Sequence, residues 1–258
     1  GMNKNSNMLT WASITHPGAR HKQNQDALLI DQDIHQSSWH STGYLDKALR
    51  HLFAISDGVS QSPNPSKASY TVLEGLLQSW QIIPDATPVQ HKEYIQSYLD
   101  KNTSQKLSGM SATLIAALFN GQKFTLFNSG DSRAYLIDKQ GITKLSKDHT
   151  ILQRMIDEGE ITPGEAINAS SLYDGLDQCF VGRSLDGPPR IQVCITDLNP
   201  CQFLLLCSDG LNLYLSDDEI MHHVINSESL EIGLNRLFRQ SIACGGEDNI
   251  SIIALSAT

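Results

Sequence analysis

Three apolar runs end in an aspartate beside a glycine: Phe53 to Asp57-Gly58, Phe127 to Gly130-Asp131, and Leu204 to Asp209-Gly210. A fourth aspartate, Asp248 in Gly245-Gly246-Glu247-Asp248-Asn249, opens the last apolar run, Ile250 to Leu255. Carboxylates at strand ends far apart in sequence meet only if the fold gathers those ends, and such a cluster is too repulsive to stay ionised without cations. All-oxygen donors suit hard divalent ions, so the pattern implies a site for more than one metal. A single Asp-Gly after a strand is ordinarily a hairpin turn, because the pair supplies the positive φ that such turns need. Its recurrence argues for a site.

The elements that must position these carboxylates follow from periodicity. Apolar runs over Leu9–Thr15, Ala27–Ile30, Leu52–Ile55, Ala112–Phe119, Lys123–Phe127, Arg133–Asp138, Ile191–Ile195, Phe203–Cys207 and Ile250–Leu255, with a short run after Gly141, read as strands. Asn120-Gly121 marks a hairpin and an antiparallel meander. Residues 31–50 carry no strong period and read as a loop or hairpin excursion. Helical spacing covers Ser66–Gln81, with Ala68, Val72, Leu73, Leu76, Leu77 and Trp80 on one face. It recurs over Lys92–Lys101, with Tyr94, Ile95, Tyr98 and Leu99 inward, over Thr150–Glu158, after the cap at Ser216 to about Asn226, and over Leu230–Ser241. Thr162-Pro163-Gly164-Glu165 has the form of a capping box. Antiparallel strands interleaved with helices, without βαβ regularity, give an α+β fold in which two sheets pack together with helices outside.

The chain has 258 residues, and one domain is expected. Residues 1–8 read as a tag scar at Gly1 and a flexible N-terminus, 9–258 as the domain, and about 150–190 as a mobile, flap-like insert. With 19 Lys+Arg against 28 Asp+Glu the net charge is −9, which disfavours nucleic acid or an anionic membrane as the main partner. No apolar stretch is long enough for a membrane span and the polar start lacks a signal peptide's apolar region, so a cytoplasmic protein is expected. The five cysteines form no C-x-x-C pair. Cys194, Cys201 and Cys207, within or beside apolar segments, read as buried thiols in a reducing compartment.

Seven segments, in order, carry a family resemblance: Asn24-Gln25-Asp26-Ala27, Ser56-Asp57-Gly58, Gly109-Met110-Ser111-Ala112-Thr113, Gly130-Asp131-Ser132-Arg133-Ala134-Tyr135, Asp148-His149-Thr150, Ser208-Asp209-Gly210-Leu211 and Gly246-Glu247-Asp248-Asn249-Ile250. The chain resembles the bacterial type of the metal-dependent serine/threonine protein phosphatase 2C family, from Gly18 to Leu255. The resemblance implies a four-layer αββα sandwich with metals at one edge of the two sheets. It implies Mn2+ or Mg2+, two ions and a third, weaker one. Asp57 would bridge two ions, the Gly58 carbonyl would ligate one of them, and Asp209 and Asp248 would complete the second. Asp26 would act close to the pair, and Asp131 with Asp209 would hold the third. A hydroxide bridging two metals would attack phosphorus in line, and Arg20 is the candidate to bind the phosphate oxygens. The implied partner is a protein phosphorylated on serine or threonine, in opposition to a serine/threonine kinase.

Three features depart from the family pattern. Gln25 replaces the usual acidic residue before Asp26, Arg20 stands one position further from Asn24 than in the commonest form, and Val59-Ser60-Gln61 replaces a histidine or methionine followed by two glycines. The last change removes any histidine general acid at that place and could stiffen the loop. His149 reads as a structural hydrogen-bonding residue at a helix start, and the adjacent His222 and His223 cannot share one helix face. Two other activities fit the same residues: a family relative without catalysis that acts as a regulatory binding module, and a hydrolase of small phosphate esters.

Overall fold

In a computed structural model of the chain, residues 7–166, 175–246 and 248–258 are described. The expected tag scar and most of the flexible N-terminus (1–6), and the middle of the expected insert (167–174), lie outside them.

One six-stranded antiparallel sheet is ordered β10 (Gly141–Lys144), β9 (Arg133–Asp138), β13 (Phe203–Cys207), β14 (Ile250–Ala257), β1 (Met8–His16), β4 (Trp39–Asp46). The other is ordered β12 (Gln192–Thr196), β8 (Phe124–Ser129), β7 (Leu114–Phe119), β5 (His51–Asp57), β2 (Asp26–Ile30), β3 (Asp33–His35). A two-residue pairing joins β11 (Phe180–Val181) to β6 (Ser111–Ala112). Central strands such as β7, Leu-Ile-Ala-Ala-Leu-Phe, are apolar at every position because both faces are covered. On β2, Leu28 and Ile30 face the opposite sheet with Phe53, Ile55, Ile253 and Leu255. Ala27 and Leu29 face the helices α1 (Pro65–Ile82) and α2 (Pro88–Lys101), against Val72, Leu76, Ile95 and Leu99. On the far side, Leu205, Ile252 and Ala254 pack against Ile220 of α6 (Asp217–Ile225) and Leu237 of α7 (Leu230–Ala243). Two sheets between two helical layers is the expected αββα sandwich.

Three expectations are refined or corrected. Residues 31–50, read as a loop or hairpin excursion, hold β3, which forms a hairpin with β2, and the eight-residue β4, which pairs with β1 in the other sheet. β4 is an edge strand, mostly exposed and poor in apolar side chains, so its hydrophobic signal is absent, and its Gly43 lies under the Trp11 ring, whose atoms a Cβ would meet at 2.8 Å. Among the cysteines only Cys207 is buried; Cys194 lies half-buried on edge strand β12, and Cys201 is exposed. On α2, Tyr94 and Tyr98 are half-buried, and His91 takes the fully buried place beside Ile95 and Leu99.

His91 Nδ1 lies 2.7 Å from Ser79 Oγ, its ring stacks on Phe127, and its buried Nε2 has no partner among the described residues. Burial, reinforced by the charge of Arg50, lowers its pKa from 6.5 to about 4. The unfolded chain therefore binds the extra proton first. The neutral imidazole's contribution is complete above pH 6.5 and is lost as pH falls toward 4, worth roughly 3 kcal/mol across that window. The His91→Asn variant, which keeps a partner for Ser79, is expected to show a flatter dependence of urea-unfolding free energy on pH between 6.5 and 4 than the wild type.

Candidate active site

Antiparallel pairing sets Asp26, the first residue of β2, directly opposite Asp57, the last of β5. Asp209 follows β13 and begins the short helix α5 (Asp209–Asn212), while Asp248 precedes β14, the neighbour of β13. Asp131 lies in the turn between β8 and β9. Both sheets thus deliver their carboxylates to the same edge. Asp57, Asp131, Asp209 and Asp248 line one cleft of about 250 Å³ together with Gly58, Val59, Ser60, Gln61, Thr113, Gly175 and Leu176.

The glycines beside the aspartates are explained by close approach more than by turns. Gly58 and Gly210 do not have positive φ. A Cβ on Gly58 would lie 2.2 Å from the Pro65 carbonyl oxygen, and one on Gly210 would lie 2.0 Å from that of Asn249. Of the three glycines adjoining Asp57, Asp131 and Asp209, Gly130 alone combines positive φ, +111°, with a neighbour, Thr113, that a Cβ would strike.

Buried hydroxyls tie the two sheets together beneath the carboxylates. Ser208 and Ser251, from the first sheet, donate to Asp26 Oδ2 at 2.8 and 2.7 Å. Thr113 Oγ1 accepts from the Asp57 N–H and lies 3.0 Å from Ser132 Oγ. Asn249 accepts from the Gln25 N–H and donates to the carbonyl of Pro17. The sequence signal for these supports is a small polar residue inside an apolar strand, as at Ser251 in Ile-Ser-Ile-Ile-Ala-Leu. By itself such a residue reads as ordinary β-structure.

Burial raises the Asp57 pKa well above the usual carboxylate range, and the charges of Asp26, Asp209 and Asp248 raise it further. Asp209 is likewise raised well above that range, by burial and then by Asp131 and Asp248. Asp26 and Asp131 are each raised to about 6, chiefly by burial. Asp26 Oδ1 and Asp209 Oδ1 are buried and have no hydrogen-bond partner among the described residues. Among those residues no three acidic, histidine or cysteine side chains close into a ready-made chelate. Carboxylates that line an open cleft, with orphaned oxygens buried behind them, fit hard cations that complete their shells with water, as magnesium and manganese do.

A family model described as protein phosphatase 2C matches residues 15–155, more than half of the chain. The chain belongs to the protein phosphatase 2C family. It is 34% identical over 149 residues to the serine/threonine protein phosphatase PstP of Mycobacterium tuberculosis, a match that covers 57% of this chain and 27% of PstP. It is 24% identical over 215 residues to the serine/threonine phosphatase stp of Listeria welshimeri, covering 78% of this chain and 82% of the relative. The fold matches that of Stp1 from Staphylococcus aureus with a TM-score of 0.80 at 23% identity, over 100% of this chain and 99% of the other. It also matches the catalytic domain of PstP in complex with two manganese ions, with a TM-score of 0.72 at 24% identity, over 96% and 98% of the two chains.

The remaining family segments are structural. Asp148 holds Arg133 in a two-pronged ion pair, Nε to Oδ1 at 3.1 Å and Nη2 to Oδ2 at 2.8 Å. His149 Nδ1 accepts from the Gly130 N–H at 3.0 Å, and burial lowers its pKa. Its partner is therefore the turn that carries Asp131, while the cap of α3 (Ile151–Asp157) is Thr150. Arg20 is exposed on the turn after β1, where the Ala19 N–H bonds the Gly246 carbonyl, and it lies outside the cleft lining. The expected insert contributes Gly175 and Leu176 to one wall, held by a bridge between Leu176 and Thr150.

Proposed function

We propose that this chain hydrolyses phosphoserine and phosphothreonine in proteins with Mn2+ or Mg2+ as cofactor, two ions and a third, weaker one. The observation that carries the proposal is a cleft with four carboxylates and no basic residue in its described lining. Such a surface would repel a phosphate dianion unless divalent cations lay between them. Asp57, Asp209 and Asp248, with the Gly58 carbonyl, would hold the ions, Asp131 with Asp209 would hold the third, and Asp26 would support the pair from its hydroxyl cradle. Bound divalent cations supply a water nucleophile at neutral pH and neutralise the phosphoryl oxygens. Among the described lining residues no side chain is a nucleophile activated by a base, and with valine at 59 no histidine stands there to protonate the leaving oxygen. Arg20, on a turn fastened to the segment that carries Asp248, is the candidate to clamp the phosphate from the rim. The PstP and stp relatives are named serine/threonine phosphatases, which favours a phosphoprotein substrate and an opposing kinase over small phosphate esters. Retention of every site aspartate disfavours a binding module without catalysis.

Phosphate release from a phosphothreonine peptide should need added manganese and stop with EDTA. Thermal unfolding supplies a readout independent of turnover: manganese at 100 times its dissociation constant should add about 2.7 kcal/mol, a rise in Tm of roughly 5–10 °C for a domain of this size. A folded protein that gains no stability from manganese or magnesium and releases no phosphate would refute the proposal.

A further inference from the structure

The cleft has two walls that a polypeptide flanking the phosphorylated residue must pass. One is Gly175-Leu176, and the other is the loop Val59-Ser60-Gln61 that follows the Asp57-Gly58 corner. The ends of the second wall are pinned. The Val59 N–H donates to the Ser111 carbonyl at 2.9 Å, and Ser62 Oγ both donates to the Val59 carbonyl and accepts from the Ser111 N–H. Its middle, Ser60 and Gln61, is exposed, and among the described residues one side-chain bond holds it: Ser60 Oγ donates to Gln25 Oε1 at 2.8 Å.

Gln25 is a firm anchor for that bond. Its N–H donates to Asn249 Oδ1, and its carbonyl accepts from the Gly58 N–H and from Ser69 Oγ at 2.7 Å. The residue is thereby tied at once to the segment carrying Asp248, to the corner carrying Asp57 and to α1. A side chain on so constrained a backbone transmits the position of the site floor to the rim above it. Because Gln25 and Ser60 are both uncharged, the link neither competes for cations nor changes with protonation.

We propose that Gln25 is a positioning residue which, through Ser60, holds the 59–61 rim in the shape that admits a phosphorylated side chain within a polypeptide, and so tunes selection of phosphoprotein over small phosphate ester. The proposal rests on the phosphatase reading. A small ester needs only the floor of the cleft, whereas a peptide must also fit between the two walls.

The test compares Gln25→Ala, Ser60→Ala, the double variant and Ser60→Thr, which keeps the hydroxyl. With a phosphothreonine peptide, either alanine variant should raise KM about 3- to 10-fold, the loss expected for one ordering hydrogen bond, and leave kcat within about 2-fold. The double variant should be no worse than either single one, as for two residues acting as a unit. Ser60→Thr should restore the wild-type KM, and KM for an aryl phosphate should not move in any of them. Hydrogen exchange provides the readout that does not need turnover: the Ser62 amide, bonded to the Val59 carbonyl across the loop, should exchange faster in both alanine variants and return to the wild-type rate in Ser60→Thr. An unchanged peptide KM, additive losses, or a parallel fall in kcat for both substrates would overturn the proposal. A wild type inactive on every ester would defeat the phosphatase reading, and unchanged exchange at Ser62 would then defeat the positioning link separately.

Discussion

Asp209→Asn should abolish phosphate release, by at least ~10³-fold, because on the proposed reading it would remove a charged ligand from cations that would supply several kcal/mol of transition-state stabilisation. The same substitution should raise the Tm of the metal-free protein. Asp209 is half-buried among Asp57, Asp131 and Asp248, its buried Oδ1 lacks a partner among the described residues, and burial and mutual repulsion lift its pKa well above the usual range. An amide of the same shape removes that repulsion without opening a cavity. Addition of manganese should reverse the ranking, since only the wild type then gains the full binding free energy. A variant that is inactive and less stable than the wild type without metal would show that Asp209 is structural, and one that keeps a tenth of the activity would show that it is not a ligand.

Gly210→Ala should be the most damaging single-methyl substitution at the site. The new Cβ would lie 2.0 Å from the Asn249 carbonyl oxygen, a backbone atom that cannot rotate away, so the start of α5 or of β14 must move. Overpacking of this kind costs about 3 kcal/mol, or roughly 6–12 °C in Tm. Because the two segments carry Asp209 and Asp248, activity should fall with stability. Gly141→Ala is the control: no atom lies within 4 Å of its Cβ position, and its φ is not positive. That variant should stay within about 0.5 kcal/mol of the wild type. Equal behaviour of the two variants would refute the close-approach explanation for the Asp-Gly pairs.

Much of the fold was legible because the central strands are buried on both faces and read as continuous apolar runs, and because the caps at Ser216 and Thr150 announce their helices. β4 was not legible. An edge strand that pairs on one side and meets solvent on the other needs few apolar residues, and Trp39-His40-Ser41-Thr42-Gly43 supplies little periodicity. Of the cysteines read as buried, Cys201 is exposed and Cys194 half-buried, because adjacency to an apolar run does not say which face a residue takes on an edge strand or turn.

The sequence by itself determined which residues could form a cation site, since aspartates closing or opening apolar runs carry their chemistry in their type and their position in the strand. It also determined that strands of these lengths, alternating with amphipathic helices, would bury two sheets between helical layers. Tertiary structure alone decided that Asp26 stands opposite Asp57. It decided that Ser208 and Ser251 reach across from one sheet to hold Asp26 on the other, and that Gly58 and Gly210 are small because backbone passes within 2.2 Å and 2.0 Å of where a Cβ would be. These are contacts between segments up to 225 residues apart. Their geometry follows from strand register and sheet packing, which no local pattern encodes.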